Sequence, residues 1–438
     1  MFSYIKNAID KITISSSQWV FGENKFTRER KFSFNDYITF FTCNKGLSNR
    51  CDLEDYIEDS LNCDFSHYSR QALSKQRTFI NPLVFKEINK QYLKEINYTG
   101  NNSFFEDFKG FRILAGDGSD FELPDFPEVR KEFKINDDSL NYRKAAMAKF
   151  SSIMDVLNGF LLDGIIGNFK NGELQLIQQN IQNIKDIIIP EKTIFIFDRG
   201  YNATALYAHI MSINSYFIVR LRDNVYKKER KYVKTNDSPI QIRLLERRLE
   251  KFDDPELKAK YEKEAYLNLR IVEFPLNNNT TEVLLTNLPK NMFKIEDLKE
   301  LYRMRWEIET NYNTLKNRFY IENYTGKRRI TIEQDIYSKF LRFNITKYME
   351  KYLNLIINKV KRKKGIKNKY KVDQAHLIRK LKKYLPIMLL NPDKKIIRKY
   401  MKKLIDSCTQ SPNKDIKHKS TTRNNKKARK FNMNYRLS

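Results

Sequence analysis

Histidine and cysteine are scarce in this 438-residue chain, with four of each. Cys43, Cys51, Cys63 and Cys408 show no CxxC spacing, so neither a zinc ribbon nor a disulfide framework is expected, and a reducing cytosol suits them. Cys43, Cys51 and Cys63 with His67 are spaced wrongly for a zinc site. Four scattered histidines argue against a His-dependent hydrolase. Glycine is sparse too, with 13 residues, and none of them builds a phosphate-cradling loop for ATP. There is no run of eighteen apolar residues, no signal peptide and no internal repeat, so a membrane location is not expected.

Acidic residues are also in deficit. Lys and Arg number 82 against 53 Asp and Glu, a formal net charge of +29. The excess is concentrated in residues 361–438, which hold 26 Lys or Arg against 4 Asp or Glu, a net +22 that leaves only +7 for the rest. A basic segment of this kind binds a phosphate backbone by counterion release, with little sequence preference. Within it, HLIRKLKKYLPIMLL has the apolar period of a packed helix, whereas Ser411 to Lys430 is polar and expected to be flexible.

Against this background, a few carboxylates carry the chemistry. In LYRMRWEIETNYNTLKNRF, a helical turn of about 100° per residue gathers Tyr302, Arg305, Glu309 and Lys316 into a sector of about 60°. Leu301, Met304, Ile308, Tyr312, Leu315 and Phe319 form an adjoining apolar stripe. A carboxylate flanked by cations at the edge of a buried face suits a metal ion beside a phosphate; by itself the pattern also fits a solvated charged face. Two more carboxylates follow strand-like runs. Asp117 sits in GFRILAGDGSDFELP, where a strand is expected to end at a Gly-Asp-Gly-Ser break. Asp198 follows the apolar run Ile194 to Phe197, which reads as a strand buried on both faces. Open α/β sheets place their chemistry at such strand ends; Asp also starts ordinary turns. Asp120 competes with Asp117, and Asp155 and Asp163 are lesser competitors.

Together these residues resemble one family. Tyr302, Arg305, Glu309 and Lys316 meet the Tyr-x2-Arg-x3-Glu-x6-Lys signature of DDE transposases of a bacterial insertion-sequence group. The Asp-Gly-Ser context of Asp117 and the Asp-Arg-Gly-Tyr context of Asp198 to Tyr201 are similar to that family's first two acidic motifs. The resemblance runs from about Gly110 to about Asn344. It implies a ribonuclease-H-like α/β core, in which a mixed sheet flanked by helices is interrupted by a β-containing insertion packed over the active site. It further implies that Asp117, Asp198 and Glu309 are catalytic and bind two Mg²⁺ or Mn²⁺ ions, hard cations that prefer oxygen ligands. Tyr302, Arg305, Lys316, Arg199 and Tyr201 are then expected on DNA phosphates. The implied activity is cleavage of double-stranded DNA at transposon ends and strand transfer into a target, by a homodimer located with the nucleoid in the cytoplasm. A nuclease or resolvase without strand transfer, and a DNA-binding protein that has lost catalysis, remain alternatives.

The expected elements follow that order. A strand at Phe111–Gly116 precedes a hairpin of Ala146–Val156 and Phe160–Ile166, turning at Asn158-Gly159 as a favoured two-residue turn. A helix over Leu174 to Ile184, the Ile194–Phe197 strand, a helix near Ala203–Met211 and a strand in SYFIVRLRD come next. The expected domains are a helical DNA-binding region over 1–105, the core over 106–223 and 289–345, the insertion over 224–288, and a basic helical region over 346–438. In the first of these, Asn81 caps a helix that starts at Pro82, and Arg70, Gln71, Ser74, Lys75 and Arg77 are expected to reach DNA in a helix-turn-helix-like arrangement.

Overall fold

A computed structural model describes residues 2–23, 25–27, 32–59, 68–100, 103–135, 146–233, 235–276 and 280–415. The chain divides into two compact units, neither of them contiguous. One comprises Tyr98–Asp120 and Ala148–Tyr312; the other comprises Met1–Asn97, Phe121–Met147 and Asn313–Ser438.

The first unit is built on one eight-stranded sheet. Its strands are β1 (Arg112–Glu122), β2 (Met147–Asp155), β3 (Leu161–Asn168), β4 (Thr193–Phe197), β5 (Tyr216–Arg220), β6 (Asp237–Arg243), β7 (Tyr266–Leu276) and β8 (Thr280–Thr286), in the spatial order β3-β2-β1-β4-β5-β8-β7-β6. β1, β4 and β5 run parallel, while β2 and β3 form an antiparallel hairpin on the far side of β1. This is the mixed α/β order expected of a ribonuclease-H-like core. Ile194, Phe195, Ile196 and Phe197 are fully buried, as a central strand covered on both faces requires. The helices Glu173–Asn183 and Thr204–Ser212 supply the connections that parallel strands need.

The expected insertion is β-containing, and its strands lengthen the sheet. β8 pairs antiparallel with β5, then β7 with β8 and β6 with β7. The apolar alternation of β6, with Ile240 and Ile242 buried between exposed neighbours, fits a strand with one covered face.

Two local expectations are corrected. β1 does not end at the glycines; it runs unbroken through Gly116, Asp117 and Gly118 to Glu122. Glycine is needed at 116, because a Cβ there would stand 2.5 Å from the Phe197 ring and 2.8 Å from Ile177. The β2–β3 connection is also longer than a two-residue turn. It spans residues 156–160, with Gly159 alone at positive φ (75°), and Asp155 holds it by accepting from the amides of Leu157 and Asn158 at 2.9 Å. An Asx-type bond has replaced the turn that Asn-Gly would make alone.

The second unit is helical. Its axis is the 35-residue helix Arg329–Lys363, which packs against Leu83–Glu95, Phe34–Cys43 and Gln374–Leu390. Asn81 accepts from the Leu83 amide at 3.0 Å and so caps the helix that follows Pro82. HLIRKLKKYLPIMLL lies in Gln374–Leu390, with Leu377, Leu381, Leu385 and Met388 buried. Arg70, Gln71, Ser74 and Lys75 are exposed, but Arg77 is 1 % exposed and faces the core instead of DNA. Most of Ser411–Lys430, and Cys63 and His67, lie outside the described residues. No helix among the described residues is long and apolar enough to cross a membrane.

Candidate active site

Register brings the first two carboxylates together. Ala115 of β1 lies opposite Ile196 of β4. Continued for two residues, that register sets Asp117 opposite Asp198, although β4 itself has ended at Phe197. β4 has ended at Phe197 while β1 continues, so β1 loses its partner on this side where the carboxylates stand. Asp198 turns the chain, its Oδ1 accepting from the Gly200 amide at 2.7 Å.

Glu309 arrives from a helix. The expected single helix consists of two, Ile295–Met304 and Trp306–Asn317, joined at Arg305, whose backbone stays helical at φ −51° and ψ −34°. The side-chain stripe therefore survives the junction. Leu301 and Ile308 are buried on the apolar face, and Arg305 Nη2 reaches Glu309 Oε1 at 3.1 Å.

Asp117 lies within reach of the charges of both other carboxylates. The Asp117 carboxyl is pushed from 3.8 up to about 6. Burial is the largest cause; the charges of Asp198 and Glu309 add to it, while the Gly118 amide and Arg305 oppose it. For Arg305, burial works against the charge, but Tyr302, Glu309 and Asp117 outweigh it and favour the protonated guanidinium. Tyr302 is buried, and desolvation pushes its phenol up to about 12. Glu282, raised by burial, ion-pairs with Arg220 at 3.2 Å and also feels Arg305.

The remaining candidates differ in their surroundings. Arg199 is exposed beside Asp198, whereas Tyr201 is 2 % exposed, with its hydroxyl lacking a hydrogen-bond partner. Lys316 belongs to the helical unit, where it lies 3.6 Å from Glu322 and over the Phe121 ring. Asp120 pairs with Lys149 at 2.9 Å, and Lys149 also holds Glu173. Asp155 accepts from Tyr98, and Asp163 from Asn180 and Asn183. These last two are structural carboxylates.

Sequence reasoning missed Tyr312, which it placed in the apolar stripe. Its hydroxyl bonds to the Asp117 carbonyl at 2.6 Å and to Ser152 Oγ at 2.8 Å. Only the dual character of a tyrosine, apolar in its ring and polar at its tip, hinted at this.

The donor set suits a hard divalent cation. It is made of oxygen alone, and the mutual repulsion felt at Asp117 is of the kind a cation relieves. Among the described residues, no three Asp, Glu, His or Cys side chains are gathered as closely as a finished cage requires. The partial neutralisation comes instead from Arg305 against Glu309.

A stability prediction follows. Because the folded state holds the Asp117 proton more tightly than an unfolded chain, metal-free protein loses stability as pH rises from 3.8 to about 6 and stays lower above that. Asp117→Asn is expected to stabilise the metal-free protein by about 1–3 kcal/mol at pH 7.5, with the gain vanishing below pH 4. Thermal unfolding in EDTA across that range measures it. Equal melting of variant and wild type at pH 7.5 would mean that the carboxylate is not held at a cost.

Residues 109–345, a little over half the chain, match the family described as Transposase DDE domain. Among solved structures, the chain is similar to the piggyBac transposase in a cryo-EM synaptic complex with hairpin DNA. That similarity has a TM-score of 0.39 at 11 % identity, over 93 % of this chain and 82 % of that one. No curated protein matches the chain significantly.

Proposed function

The chain belongs to the transposase DDE domain family, and from that premise we propose that it cleaves DNA at the ends of an insertion sequence and transfers the freed strands into target DNA. What supports this reading is that the buried Asp117 of β1 feels the charges of Asp198, after β4, and of Glu309, which pairs with the buried guanidinium of Arg305. The Tyr-x2-Arg-x3-Glu-x6-Lys spacing supports placing it in the corresponding insertion-sequence group.

Asp117, Asp198 and Glu309 would hold two Mg²⁺ or Mn²⁺ ions, which when bound supply activation of a water or 3′-hydroxyl and neutralisation at the leaving oxygen. The side chains of this chain do the rest. Arg305 is already desolvated and charged, and its planar fork is suited to a bidentate phosphate contact. Tyr302 keeps its proton far above neutral pH and can donate it in a hydrogen bond to a phosphate oxygen. Arg199, exposed beside Asp198, adds a point charge along the strand being cut, and Lys316 is read as a further phosphate contact. The basic segment 361–438 supplies sequence-independent affinity. Two ends must be held for joint transfer, which favours a homodimer acting at the nucleoid.

The test is a Mg²⁺-dependent assay on a labelled duplex carrying the element's own end, scoring nicking and joining separately. Nicking followed by joining is the expected result. Nicking without joining would replace the reading with that of a nuclease, and binding without nicking with that of an inactive DNA-binding protein.

A further inference from the structure

We propose that Tyr312 is a positioning residue that sets the spacing of Glu309 from Asp117, an inference resting on the metal-site reading above. Tyr312 follows Glu309 by three residues, and its hydroxyl closes on the peptide joining Asp117 to Gly118.

The Tyr312 contact has a defined polarity. The Asp117 carbonyl can only accept, so Tyr312 spends its single proton on it at 2.6 Å, and the Ser152 hydroxyl must donate to Tyr312 at 2.8 Å. The phenol is 7 % exposed, and its ring lies edge-on to Phe150 at 5.9 Å. Glu309 and Tyr312 are neighbours on one helical face. The bond to Asp117 therefore fixes how far Glu309 stands from β1.

A Cβ on Gly118 would stand 3.2 Å from the Tyr201 hydroxyl, so residue 118 fits without a side chain. The Gly118 amide bonds to Asp117 Oδ1 at 2.8 Å. The peptide that aims Asp117 is thus held, through Tyr312, by the helix that bears Glu309. Supports of this type orient metal ligands, and removing one typically costs about tenfold or more in metal affinity.

The experiment is calorimetric titration of the full chain with Mn²⁺, in parallel with its melting temperature. Tyr312→Phe keeps the ring and is expected to weaken Mn²⁺ binding by about tenfold, and to lower the cleavage kcat with an unchanged KM for DNA. Should Tyr312→Phe not fold, Ser152→Ala, which removes the hydroxyl that donates to Tyr312, decides in its place and is expected to weaken Mn²⁺ binding about threefold. Wild-type Mn²⁺ affinity in the folded variant, with binding lost in Glu309→Gln, would overturn the positioning role only. If the wild type takes up no Mn²⁺ sensitive to Glu309→Gln, the metal reading falls and the positioning role falls with it.

Discussion

Glu309→Gln is expected to slow DNA strand cleavage by about 10³-fold or more while leaving duplex affinity within about twofold. The size follows from what the carboxylate would do. Metal ions that neutralise a developing oxyanion supply several kcal/mol of transition-state stabilisation, and about 4 kcal/mol corresponds to about 10³-fold in rate. Glutamine preserves the shape and leaves an oxygen for Arg305 Nη2, now 3.1 Å from Glu309 Oε1, so the helix and its apolar face should stay in place. It removes the negative charge that partly neutralises Arg305, so DNA binding is not expected to suffer. Single-turnover nicking in Mg²⁺, read beside anisotropy of the same labelled duplex, separates the two effects. Cleavage within about tenfold of wild type would remove Glu309 from the metal site. Equal loss of cleavage and binding would make it a DNA-contact residue instead.

How much of this was legible in the sequence differs by residue. Asp198 was readable because four consecutive buried apolar residues leave little choice but a central strand, and the residue after it must lie at the sheet's edge. Asp117 stands out by its Gly-Ser context, which in the fold has another meaning than a turn. The glycines do not break β1; they let Phe197, Ile177 and Tyr201 approach it. Single-sequence reading equates glycine with a turn and cannot see a neighbour that is distant in the chain. The level placement of Asp117 and Asp198 needed the parallel register, which no local pattern encodes. The helix stripe was legible from its period and persists across the Arg305 junction because the backbone there remains helical. The Tyr312 hydroxyl was hidden by its own ring, since a phenol at an apolar position counts as core.

The largest expected effect on stability lies in the helical unit, at a residue whose sequence surroundings pointed towards DNA. Arg77 sits in the exposed-looking run RQALSKQR, yet its guanidinium is enclosed. Nε donates to Gln334 at 2.9 Å, Nη1 to Thr325 at 2.7 Å, and Nη2 to both the Thr331 carbonyl and Asp335 at 3.0 Å, while the Phe41 ring lies 4.3 Å away. These bonds tie the helix Arg70–Arg77 to the long helix more than 250 positions later. Arg77→Met would leave Asp335 nearly fully buried without its cationic partner, a loss expected to cost about 3–5 kcal/mol. Arg77→Lys should recover little, because one ammonium cannot fill the positions of a planar fork. Arg77→Met combined with Asp335→Leu should recover much of the loss, since two apolar side chains can replace a buried pair when neither charge is stranded. Thermal and urea unfolding of the four proteins measures this, and a loss below about 1 kcal/mol in Arg77→Met would show that the network is not what joins these helices. Duplex affinity, measured well below each melting temperature, should be unchanged throughout, because a guanidinium enclosed in the core cannot reach phosphate.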